Sequence, residues 1–83
     1  MQKIRQDISI GENIRKLRDG AGYTQEETVA KMQVLGCSLS RSTYSQIECG
    51  TYNVRVSELI ALKQIFRLSS FDPFFMELFL PEI

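Results

Sequence analysis

The stretch SRSTYSQIECG, residues 40–50, holds the densest set of hydrogen-bonding tips in the chain. At 100° per residue, a helix over it puts Tyr44, Ile47 and Thr43 on one side and Arg41, Ser42, Ser45, Gln46 and Cys49 on the other. Ser and Thr compete with the helix backbone for hydrogen bonds, so such a row adds little stability. It suits contact with something polar in detail, although a plainly solvated face has the same composition. Other chemistry is poorly provided for. The chain has no His, the commonest general base and metal ligand. Cys37 and Cys49 are too few for a structural zinc site, and Cys49 beside Glu48 does not make a nucleophile–base pair. With no phosphate-binding glycine loop either, we expect no enzyme, no metal, no cofactor and no small-molecule ligand.

Eighty-three residues suit one domain with a small core. No run of 18 apolar residues offers a membrane span, and the start, MQKIRQDISI, lacks the apolar stretch of a secretory signal. A cytoplasmic protein with reduced cysteines is expected. Lys and Arg total 10, as do Asp and Glu, so the net charge is zero. The balance is uneven, however. Residues 71–83 carry Asp72, Glu77 and Glu82 and no base, leaving a net +3 on the first 70 residues.

The punctuation predicts an all-α fold, a compact bundle of five short helices. Ser9 to Glu12 reads as a capping box. Ile10, Ile14, Leu17 and Ala21 then follow on one helical face, ended by Gly20 and Gly22. Thr24 to Glu27 is a second capping box, opening a helix with Val29, Ala30, Met32, Val34 and Leu35 that Gly36 stops. Ser40 caps the third helix, with Leu39 placed to staple onto Tyr44, and Gly50 ends it. Residues 51–55 form a loop. Val56, Leu59, Leu62 and Phe66 mark a fourth helix. Asp72-Pro73 starts a fifth, over about 73–80. The expected organisation is an N-terminal extension over 1–8, a helical domain over 9–70 and an apolar C-terminal segment over 71–83.

IGENIRKLRDGAGYTQEETVAKM, SRSTYSQIECG and VRVSELIALKQIF, in that order, resemble the helix-turn-helix domain of the Cro and lambda-repressor-type (XRE-like) family over residues 10–66. Gln33 to Leu39 makes the link between helices two and three longer than usual, as in a subset of that family. Cys49 stands where a polar residue is usual. The resemblance implies a sequence-specific regulator of double-stranded DNA, a repressor, with the third helix in the major groove. It puts Arg41, Ser42 and Gln46 at base edges, where Arg suits guanine and Gln suits adenine, and Ser45 on the same face can serve either. It puts Gln25 on a phosphate at the start of helix two, with Thr43, Tyr52, Asn53 and Arg55 as further phosphate contacts. It pairs Arg18 with Glu48 in a largely buried ion pair between helices one and three.

The tail FDPFFMELFLPEI is more apolar than one small core can hide. Such a surface marks association, and two-fold DNA sites call for a homodimer. Phe71, Phe74, Phe75, Leu78 and Phe79 are the expected dimer surface. The competing function is a protein-interaction module, such as an antitoxin or antirepressor, that uses the same tail.

Overall fold

The computed structural model describes residues 8–80, so most of the expected N-terminal extension, and Pro81 to Ile83, lie outside the described residues. Four α-helices follow in order: α1 Gly11–Ala21, α2 Gln25–Val34, α3 Arg41–Cys49 and α4 Val56–Ile65. A 3₁₀ turn, Asp72–Phe75, comes last. The fold is all-helical among the described residues, with four α-helices and not the five expected.

Local signals place both ends of α3, the start of α2 and the end of α1. Thr24 Oγ1 accepts from the Glu27 amide at 3.0 Å, and Glu27 Oε1 accepts from the Thr24 amide at 2.8 Å, closing the box at the start of α2. Ser40 Oγ accepts from the Thr43 amide at 3.2 Å and starts α3. Gly22 and Gly50 end α1 and α3 at φ 81° and 80°, a left-handed turn that a Cβ would penalise.

The first capping box does not form. Ile10 occupies the cap position, and Ser9 Oγ accepts from the nearer Gly11 amide at 3.0 Å. Glu12 turns outward and accepts from Arg15 Nη2 at 2.6 Å. The cause is packing. Gly11 is buried against the end of α3, where a Cβ would run into the Ile47 and Glu48 carbonyls. That close approach decides how α1 begins.

Ile14, Met32, Tyr44, Ile47, Leu62 and Phe74 form the centre of one core, each 0–1% exposed. Periodicity overstated two faces. On α2, Val29 and Met32 are buried, but Ala30 is exposed, Val34 is 86% exposed and Leu35 is half-exposed at the helix end. Val56, at the first position of α4, also faces out. The link over residues 35–40 is pinned by Gln33 Nε2, which donates to the Leu39 carbonyl at 2.9 Å.

The fifth helix fails for a tertiary reason. Asn13 Nδ2, in the first turn of α1, donates to the Phe74 and Met76 carbonyls, each at 2.9 Å. In a continuing helix the Phe74 carbonyl would accept from the amide four residues on. Here Met76 is extended and Glu77 sits at φ 61°, outside any right-handed helix. An eight-residue helix is marginal without packing to support it, and two bonds from a side chain displace it.

Candidate nucleic-acid interface

Tyr44 and Ile47 seal one side of α3 into the core, against α1 and α2. That anchoring turns the opposite row outward. Arg41, Ser42 and Gln46 are exposed, Ser45 is half-buried, and Arg41, Ser42 and Ser45 line a shallow cleft. The exposed tips carry donors of two kinds: a guanidinium fork and a carboxamide that both donates and accepts. Cys49 is exposed at the end of the helix.

Beneath that row lies a buried polar knot. Arg18 Nε donates to Glu48 Oε2 at 2.7 Å, and Arg18 Nη2 donates to Glu48 Oε1 at 3.2 Å. The two side chains are 12% and 4% exposed. Arg18 Nη1 also donates to the Tyr23 carbonyl at 2.8 Å, so this one guanidinium ties the end of α1 to α3. Burial pushes the Glu48 carboxyl up, but the donors around it, led by Arg18, outweigh burial and hold it below its ordinary value. The Tyr44 hydroxyl lies close by, wholly buried and without hydrogen-bond geometry to a partner. Burial first, then the Glu48 charge, holds its ionisation far above the usual phenol range.

Gln25 joins this knot. Its Nε2 donates to Glu48 Oε1 at 3.0 Å. The bond fastens the first residue of α2 to the last turn of α3. The Thr24 cap satisfies one of the first-turn amides, and those of Gln25 and Glu26 have no intrahelical acceptor. They sit at the positive end of the helix dipole. Of the two carboxylates in that turn, Glu27 is folded back on Thr24.

The remaining expected contacts are more dispersed. Thr43 is half-buried, its hydroxyl 3.2 Å from Ser40 Oγ within the cap of α3. Tyr52 is half-buried, packed against the core, and its hydroxyl donates to Glu58 Oε2 at 3.4 Å. Asn53 and Arg55 are exposed. Glu58 was not among the expected residues. It is 3% exposed, and its Oε1 accepts from the Arg55 amide at 2.9 Å, so it braces both ends of the loop after α3. The signal was present in the sequence: a Glu three residues past the cap of α4 has the capping-box spacing.

The C-terminal segment divides in two. Phe74 is fully buried and Leu78 half-buried, while Phe71, Phe75 and Phe79 are 38%, 50% and 83% exposed. Phe74 therefore departs from its expected place on a dimer surface. It fills the core end beside α1, its ring centroid 6.3 Å from that of Phe71.

Among the described residues no group of three or more His, Cys, Asp or Glu could hold a metal ion, and no helix is long and apolar enough to cross a membrane. A family model described as helix-turn-helix matches residues 14–72, from the first buried Ile of α1 to the start of the 3₁₀ turn. No curated protein and no solved structure matches the chain.

Proposed function

The chain belongs to the helix-turn-helix family, a DNA-binding family, and on that premise we propose that it is a sequence-specific transcriptional repressor reading double-stranded DNA. The observation that carries this reading is the outer row of α3, with Arg41, Ser42 and Gln46 free of the core. α3 is the reader in the major groove, where each base pair shows a distinct pattern of donors and acceptors. Arg41 and Gln46 carry bidentate contacts to bases, and Ser42 and Ser45 adapt to either.

Gln25 and the first-turn amides of α2 take a phosphate, and Thr43, Tyr52, Asn53 and Arg55 supply further backbone contacts. These contacts set register and affinity, not sequence choice. Arg18 and Glu48 stay architectural, since an acid at the end of a reading helix is tolerable only when neutralised by its partner. Residues 9–70 are the DNA-binding unit. The C-terminal segment makes a homodimer that matches a two-fold site, and repression follows from occupying that site.

Selection of bound duplexes from a random pool, followed by titration of variants at several salt concentrations, tests this. Arg41→Ala and Gln46→Ala each weaken binding to the selected site by about 1–3 kcal/mol and relax preference at one base position. Gln25→Ala weakens all sequences evenly. An unchanged base preference in Arg41→Ala would remove α3 as the reader, and the absence of any salt-dependent duplex binding would favour a protein-interaction module.

A further inference from the structure

A second surface stands apart from α3. At the far end of α2, Val34 and Leu35, the ring of Tyr23 and the buried Ile65 line an open groove of about 410 Å³, with Lys31 and Arg67 on its rim. Lys31 Nζ stands 5.0 Å over the Tyr23 ring, and both residues line the groove. No acidic residue lines it. Val34 is nine residues from Gln25 along α2, about 14 Å by helix rise, so the groove is clear of the proposed phosphate contact.

The tail has the opposite character. After the 3₁₀ turn, Met76, Phe79 and Leu80 are 59%, 83% and 75% exposed, and residues 78–80 are outside any helix. Asp72 and Glu77 are the only charged residues among 71–80.

Building on the homodimer reading, we infer that the Met76–Leu80 segment of one copy docks in the Tyr23–Val34–Ile65 groove of a second copy. Three observations carry this. Charge comes first. Tail against tail brings Asp72 and Glu77 toward their like, whereas the groove sets Glu77 against Lys31 and Arg67. Shape is the second, because an irregular apolar segment outside any helix fits a groove, not the flat face of a helix. The third is placement. The tail leaves the domain beside Asn13, in the first turn of α1, whereas Tyr23 follows the last turn, about 15 Å along that helix. The tail does not lie in its own groove. Reciprocal docking closes the pair around a two-fold axis, buries both apolar surfaces and leaves no groove open for further copies.

The test uses Val34→Asp and Phe79→Asp, both at exposed positions, so far-UV spectra stay those of the wild type. Sedimentation equilibrium is run at a concentration where the wild type is dimeric. Each variant alone sediments as a monomer. An equimolar mixture recovers a dimer, because the sound tail of Val34→Asp meets the sound groove of Phe79→Asp. A dimeric Val34→Asp beside a monomeric Phe79→Asp overturns the groove and leaves the tail meeting itself. Two dimeric variants overturn the docking altogether. A wild type that stays monomeric at every accessible concentration overturns both this inference and the homodimer. Binding of either variant to a single half-site, read in the same series, keeps the assignment of α3 separate from all of these outcomes.

Discussion

α3 and the C-terminal segment are mirror images in what they hide. α3 buries Tyr44 and Ile47 and shows Arg41, Ser42 and Gln46 to water; the segment buries Phe74 and shows Met76, Phe79 and Leu80. Each is held by polar side chains from neighbouring helices: α3 by Arg18 and Gln25 on Glu48, and the tail by Asn13 on the Phe74 and Met76 carbonyls. The two surfaces differ in their stake in a partner. A polar row is at no disadvantage in water, so its residue types answer to what it touches. Exposed apolar surface is unfavourable by about 25 cal/mol per Å², so the tail gains from being covered almost regardless of detail. On the proposed reading, specificity belongs to the first surface and association to the second.

The largest expected effect breaks the α3 side of this comparison. Glu48→Ala removes the buried carboxylate from Arg18, leaving it, among the described residues, only the exposed Asp19 carboxylate at 3.4 Å, and frees Gln25. A cost of about 3–5 kcal/mol is a large share of the ~5–15 kcal/mol that holds a domain together, and denaturant melts measure it. Glu48→Gln, which keeps the shape and one acceptor, costs less. The pH profile separates charge from shape. Because the folded Glu48 carboxyl is held below its ordinary value, its contribution is complete above the unfolded Glu value of about 4.3. It is lost as pH falls from there through the lowered folded value. The acid limb of the stability profile should therefore be shallower in Glu48→Gln than in the wild type. The exposed Glu12 and Glu27, also lowered by their partners, leave a weaker, screened remnant.

A second test sharpens the division inside the tail. Phe74→Ala empties a core site and should cost about 3–5 kcal/mol. Phe79→Ala, at a side chain 83% exposed, should fall within ~0.5 kcal/mol of wild type in the monomer. Equal effects in urea melts would mean that the segment packs as one unit.

Smaller again is the junction of α1 and α3. Gly11→Ala places a methyl against the Ile47 and Glu48 carbonyls, backbone atoms that cannot swing aside. Overpacking of this kind costs about 1–3 kcal/mol. The same exchange at Gly20, where a Cβ would meet nothing within 4 Å, should stabilise the exposed helix by up to ~1 kcal/mol. Thermal melts of the pair give opposite signs if close approach, not helix propensity, governs Gly11.

Residues within one turn of each other were legible without coordinates. Thr24 with Glu27, Ser40 before Thr43, and Gly22 and Gly50 after their helices obey local rules of backbone satisfaction, and those rules set the starts of α2 and α3 and the ends of α1 and α3. The face of α3 was legible too, because Tyr44 and Ile47 are its only large apolar residues and so decide which side turns in. What tertiary structure decided lies where a distant group overrides a local preference. Ser9 lost its capping box because Gly11 is pressed against the end of α3. The helix expected over 73–80 gave way because Asn13, more than sixty residues earlier, takes its carbonyls. Val34 fits the apolar pattern of α2 and is exposed because the helix ends there and no other described residue covers it. Gln25 reads as an exposed helix start, yet it is bonded to the buried Glu48, since only the packing of α2 on α3 brings that carboxylate within reach.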